Sequence, residues 1–379
     1  MMVSRHTAIP RTIPFLVAVC FLSLPAQAKY SGGTGTAQDP YQIATAADLI
    51  ALGETPADYD KHFLLTADID LDPNLPGRKV FDRAVIASAQ HGWRAGPRGT
   101  PFTGVFDGNG HTISHVTMQG EAYVGLFGHM GSHAEIKDLG VVDVNITASG
   151  MHVGGLVGSN GYDEGQVVVE GGIITHCYST GAIKGENRVG GLVGSNCRGR
   201  VTYCYSTGAV SGTEWSVGGL VGQNDGSVIQ CYSTSAVSGK AGVGGLVGST
   251  DIGDVIHSYS RGAVRGESTV GGLVGSHGIG DVTRCYSTGA VSGTGDHVGG
   301  LVGYAVRGWG ATGPVNYLTD CFWNTQTSAQ TTSDGGTGKT TAEMQTAKTF
   351  LDAGWDFVGE AANGSEDIWK AHPVLAYFS

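Results

Sequence analysis

Val217-Gly218-Gly219-Leu220-Val221-Gly222 leads, a short way on, to Cys231-Tyr232-Ser233-Thr234, and this pair of blocks recurs along the chain. The first block starts at Val153, Val189, Val217, Val243, Val270 and Val298, after a degenerate copy at Val124-Gly125-Leu126-Phe127-Gly128. The second is stricter. Cys177, Cys204, Cys231, Ser258 and Cys285 stand 27 residues apart, and Tyr178, Tyr205, Tyr232, Tyr259 and Tyr286 keep the same step. Self-similarity at a period of about 20–50 residues marks a solenoid, propeller or array. Each unit offers three β-rich runs, such as Val217–Gly222, Val228–Ser233 and Ala236–Ser238, with Gly or Ser at the corners. The unit is too short for a four-stranded blade of about 40 residues and holds no long helical pattern. The fold expected is therefore all-β: a parallel β-helix (solenoid) with three short strands per coil. Right-handedness follows from the general rule for parallel crossovers. Coils would stack about 4.8 Å apart, so that equivalent residues form ladders.

Composition agrees. The 379 residues include 64 Gly and 11 Pro, and 40% are hydrophobic while 15% are charged. Pro is too scarce for collagen, the apolar content is too high for disorder, and so much Gly disfavours helical bundles. Residues 1–28 read as a bacterial-type secretory signal: Arg5 and Arg11, an apolar run from Ile13 to Leu24, then Ala26-Gln27-Ala28. The run is too short to span a bilayer, and no later one is long enough. Cleavage after Ala28 would shift the formal charge from −11 to −13. So acidic a chain is a poor partner for nucleic acid. Secretion or display at the cell surface is the expected address.

Val-Gly-Gly-Leu-Val-Gly-Ser-Asn followed by Cys-Tyr-Ser-Thr-Gly resembles the bacterial GLUG-motif repeat. The matching motifs are Gly155–Gly158, Gly191–Gly194, Gly219–Gly222, Gly245–Gly248, Gly272–Gly275 and Gly300–Gly303. The resemblance covers roughly residues 100–325. It implies a β-solenoid in an exported, adhesin-like context, without implying a reaction. Peptidase relatives carry a separate zinc domain with His-Glu-x-x-His, and no His-Glu pair occurs in this sequence.

The organisation expected is a signal peptide at 1–28, an N-terminal capping segment at 29–100, the repeat β-helix at 101–330 and a C-terminal cap at 331–379. Caps are needed because an open sheet edge invites association. Thr45-Ala46-Ala47-Asp48 opens a short helix like a capping box, and Thr340-Thr341-Ala342-Glu343 opens another reaching about Asp352. Trp355, Phe357, Ile368 and Trp369 are aromatic or apolar enough to cover the last coil.

Several candidate sites reduce to turn chemistry. Gly335 to Thr340 ends like a nucleotide loop, but Ser333 stands where the first Gly belongs. Asp68, Asp70, Asp72 and Asn74 suggest a calcium loop, yet Pro73 and Lys79 occupy positions that need Gly and Glu. No cofactor and no metal site is expected. Cys177, Cys204, Cys231 and Cys285 are read as a structural ladder of packed free thiols. Their 4.8 Å spacing exceeds the ~3.8 Å Cβ separation of a disulfide, and a single file lacks the convergence a metal needs.

The function expected is a non-enzymatic binding or adhesion module with an unknown glycan or surface protein as partner. Its rival is a carbohydrate-active enzyme, a polysaccharide lyase or glycoside hydrolase. For that rival Asp107 with His111 is the nearest acid–base pair, although Asp107-Gly108-Asn109-Gly110 is also strong turn chemistry. The first and last full units each carry an insertion of eight or nine residues after Leu-Val-Gly. They place Tyr162, Asp163 and Glu164 in one loop and Arg307, Trp309 and Tyr317 in the other. These six are the candidate ligand-binding residues, because solenoid insertions commonly lie on the binding face.

Overall fold

The computed structural model describes residues 29–90, 96–163, 168–306 and 318–357. The expected signal segment, and Ile368 and Trp369 of the expected cover, lie outside these residues. The chain winds as a parallel β-helix. In a typical coil, Trp215–Gly218 lies on a first face, Val221–Asn224 on a second and Ser227–Ile229 on a third. Tyr232–Ser233 and Ala236–Ser238 share the fourth. Parallel pairing with the coils on either side builds sheets of 6, 7, 10 and 14 strands.

The three runs of each unit are present, but the first two bend, so a coil has four faces. Gly219-Leu220 carries the first run round a corner. The second turns at Gln230, whose φ is 52°. The same left-handed residue precedes the Cys position in coil after coil: Asp138, His176, Tyr203, Gln230, His257, Arg284 and Asp320. None is Gly, and each left-handed residue costs on the order of 1 kcal/mol. The cost is borne because the turn drives the next side chain into the core.

The register is strict. Tyr178, Tyr205, Tyr232, Tyr259 and Tyr286 are partners in sequence, as are Ser179, Ser206, Ser233, Ser260 and Ser287. Leu156, Leu192, Leu220, Leu246, Leu273 and Leu301 are all fully buried. Burying a leucine contributes roughly 1.5–3 kcal/mol. The motif glycines are dictated by space. A Cβ on Gly219 would lie 2.1 Å from the Gly245 carbonyl oxygen and 2.3 Å from Ser233 Oγ. A Cβ on Gly218 would lie 1.9 Å from the Val221 carbonyl oxygen, and one on Gly222 2.5 Å from that of Gly194.

Both ends are covered. Ala46–Gly53 is helical with the reciprocal Thr45–Asp48 capping box, and Leu49 and Leu52 are buried. At the other end the expected helix is two, Thr341–Met344 and Ala347–Leu351, the first opened by the Thr340–Glu343 box. Tyr286, Phe322, Met344, Phe350, Trp355 and Phe357 form a separate apolar cluster over the last coils. The third face reaches back to Tyr41–Ile43 and His62–Leu65, so coil pairing starts inside the 29–100 segment. It also extends past 330, where Thr337–Lys339 pairs with Phe322–Asn324.

Candidate functional site

Most of the repeated polar side chains are occupied with holding coils together. The six cysteines from Cys177 to Cys321 are free thiols, all buried. Within the column, the Cys177 N–H donates to Cys204 Sγ at 3.4 Å and the Cys204 N–H to Cys231 Sγ at 3.4 Å. Ser258 takes the same role, accepting from the Cys231 N–H at 3.1 Å. The column then continues through Cys285 to Cys321, which extends the expected ladder by one member. Burial pushes the thiols of Cys204 and Cys285 well above their ordinary pKa. A second ladder had no sequence-based expectation. Asn160 Nδ2 donates to Asn196 Oδ1 at 2.9 Å, and Asn196 Nδ2 donates to Asn224 Oδ1 at 2.8 Å. The tyrosines stack along the fourth face, with ring centroids 4.8–5.0 Å apart.

The acid–base pair of the enzymatic alternative is not assembled. Asp107 accepts from the Asn109 N–H at 2.8 Å and pairs with Lys137 Nζ at 3.3 Å. His111 Nδ1 instead lies 3.2 Å from Asp68 Oδ1. The Asp-Gly-Asn-Gly turn explains both positions: it folds Asp107 onto its own backbone and aims His111 at the preceding coil. Asp70 is bound to His115 at 2.8 Å and caps the Asp72 N–H at 2.9 Å. Among the described residues no group of three or more His, Cys, Asp or Glu is placed to hold a metal. The nucleotide-like loop is a covering segment: Ser333 Oγ accepts from the Leu301 and Val302 N–H groups, and Asp334 from that of Ala305.

Both insertions are bounded by strands of the second and third faces. Tyr162–Asp163 pairs antiparallel with Val168–Val169, a hairpin between the second-face strand Val157–Asn160 and the third-face strand Ile173–Thr175. The last insertion opens between Val302–Ala305 and Leu318–Thr319, again between the second and third faces. Arg307, Trp309 and Tyr317, and Glu164 of the first loop, lie outside the described residues. A third excursion was missed because its coil lacks the repeat motif. Ile86 pairs with Phe127 and Phe102 with Met130, so the chain between them leaves the second face just before the same corner. Gln90 and Arg98 exchange backbone hydrogen bonds at its base. The two N-terminal excursions touch, since a Cβ on Gly96 would lie 2.4 Å from the Tyr162 ring. Tyr162 in turn sits 5.5 Å from the ring of His129. His129 is 2% exposed, neither ring nitrogen has a hydrogen-bond partner, and burial lowers its pKa to about 4.

The repeats match a family model. The GLUG motif model matches residues 149–184, 185–211, 213–238 and 266–292. Four segments between residues 149 and 292 are therefore GLUG-motif repeats. Among curated proteins, the chain is 32% identical over 175 residues to "Halomucin" of Haloquadratum walsbyi, covering 43% of the chain and 2% of that protein. It is 33% identical over 143 residues to a "Putative Gly-rich membrane protein" of Evansella cellulosilytica, covering 35% of the chain and 14% of that protein. The chain thus spans a small part of either relative. Among solved structures, a "putative immunoglobulin A1 protease" from Bacteroides ovatus superposes with a TM-score of 0.60. The match has 21% identity over 86% of the chain and 90% of that structure. At this identity the GLUG chain shares its fold alone. No helix of the described residues is long and apolar enough to cross a membrane.

Proposed function

We propose that this GLUG-repeat chain is exported through the 1–28 segment and acts outside the cytoplasm as a non-enzymatic binding and adhesion module. The observation that carries the reading is the corner shared by the insertions. The repeated columns are spent on coil-to-coil contacts, whereas the variable segments leave the rod along one edge. The first and last full-unit insertions are separated by five coil steps, about 24 Å at 4.8 Å per coil. Relatives whose names are Halomucin and a Gly-rich membrane protein fit a surface or extracellular repeat protein. Tyr162 and Asp163 with Glu164, and Arg307, Trp309 and Tyr317, are the contact residues of this proposal, aromatic and Arg side chains being common interface anchors. The partner is a glycan or a surface protein.

The test has two arms. Expression of the whole chain in a Gram-negative host should yield protein beginning at Lys29 in the extracytoplasmic fraction, read by N-terminal mass spectrometry. The purified protein should be retained on surfaces coated with bacterial or plant polysaccharide or with host surface protein. Uncleaved cytoplasmic protein, or turnover of those polysaccharides abolished by Asp107→Asn, would contradict the reading.

A further inference from the structure

The outward column of the second face changes character at its last coil. Ser159, Ser195, Gln223, Ser249, Ser276 and Tyr304 are register partners in turn. The column opens on buried His129, small or uncharged polar side chains follow in five coils, and the last presents a phenol ring that is 37% exposed. The neighbouring column of the first face ends likewise in an exposed ring. His297 lies 4.8 Å from Tyr304, edge to face. The covering segment Thr332–Asp334 is hydrogen-bonded to the last coil beside these two rings. Together His297, Val298, Gly303, Tyr304, Thr332, Ser333 and Asp334 line an open pocket of about 460 Å³.

The pocket is built and not left over from packing. Asp334 Oδ2 is fixed by the Ala305 N–H at 2.7 Å, and its own N–H donates to the Val302 carbonyl at 3.1 Å. Gly300 donates to the Thr332 carbonyl at 3.0 Å. The wall opposite the rings is therefore held to the last coil at several points. Among the described residues, the strand holding Tyr304 is the last of its sheet.

We propose that this pocket is a binding subsite for a neutral sugar residue. A hexose ring has an apolar C–H face and a rim of hydroxyls. The edge-to-face Tyr304–His297 pair offers an apolar surface with polar tips, and the Asp334 carboxylate and Thr332 hydroxyl offer acceptor and donor groups beside it. The volume falls in the ~300–1,000 Å³ range of small-molecule sites. The Asp334 carboxylate stands in the pocket wall and the chain is acidic overall, so a sulfated or uronic sugar is disfavoured. The assignment rests on the binding-module reading and names the chemistry of one contact.

The test titrates the whole chain with cellobiose, maltose and N,N′-diacetylchitobiose, and with glucuronic acid as the charged comparison, following ring resonances by NMR. At least one neutral disaccharide should bind, Tyr304→Ser should weaken it at least tenfold, and Asp334→Asn should weaken it less. Tyr304→Ser restores the side chain the column carries elsewhere, so its melting temperature should match that of the parent. Absence of binding by every neutral disaccharide, preference for glucuronic acid, or equal binding by Tyr304→Ser would each overturn the subsite. Surface retention is measured in parallel on the same two proteins. Retention that persists in both while the disaccharides fail would overturn the subsite alone; loss of retention in the parent would overturn the binding-module reading.

Discussion

Cys231 shows how one side chain serves a stacked fold. Its Sγ accepts the Cys204 N–H, and its thiol donates to the Ile229 carbonyl oxygen, 3.2 Å from the sulfur. Ser258 performs the same two tasks one coil later. Cys231→Ser should therefore cost less than 1 kcal/mol, whereas Cys231→Ala should cost about 1–3 kcal/mol by stranding a buried N–H. Urea unfolding monitored by circular dichroism separates the two outcomes; equal losses would show that the sulfur acts by volume alone. His129 makes a pH claim. Its folded pKa of about 4 lies below the ordinary 6.5 because burial disfavours the imidazolium. The unfolded chain binds the proton first, so this residue's stabilisation is full above pH 6.5 and is lost as pH falls toward 4. The loss is on the order of 3 kcal/mol. Melting temperature should drop across that window, and His129→Phe should flatten the drop; parallel pH profiles would refute the assignment.

The element that defines the fold is the Gly-Gly-Leu corner between the first and second faces. Gly219→Ala would push a methyl into the Gly245 carbonyl and the Ser233 hydroxyl, neither free to retreat within the ladder. A loss of about 1–3 kcal/mol is expected, read as a lower urea midpoint; a neutral outcome would mean the coils can slide apart at this corner. The recurring Gly identified the motif but not this bend, since Val217–Gly222 reads as one run through it. The corner at Gln230 was no more legible. Its left-handed residues are Tyr203, Gln230, His257 and Arg284, types that carry no turn signature, so a run that bends read as one straight strand. The asparagine ladder escaped for another reason. Asn160 and Asn196 are 36 residues apart and Asn196 and Asn224 28, because loops of different length separate them, so a search at a fixed period of 27 passes over them.

At the scale of the whole molecule, the periodic blocks fix the stacked coils and the departures from them mark the edge to which the proposal assigns binding. The Cys and Tyr columns and both capping boxes could be read in advance because each depends on local spacing or on a residue type with a defined task. The Ile86–Phe102 excursion could not, since it interrupts a coil whose face-two strand carries no Val-Gly-Gly-Leu-Val-Gly block. Nor could the engagement of Asp107 with Lys137 and of His111 with Asp68, which depends on contacts between coils. The most direct measurement replaces the insertions after Asn160 and Ala305 with the short corner Asp225-Gly226 and compares surface retention and thermal unfolding with the parent. The account expects an unchanged β-sheet spectrum and a melting temperature within a few degrees, with retention lost. Full retention by the trimmed rod would contradict it, placing binding on the repeated faces themselves.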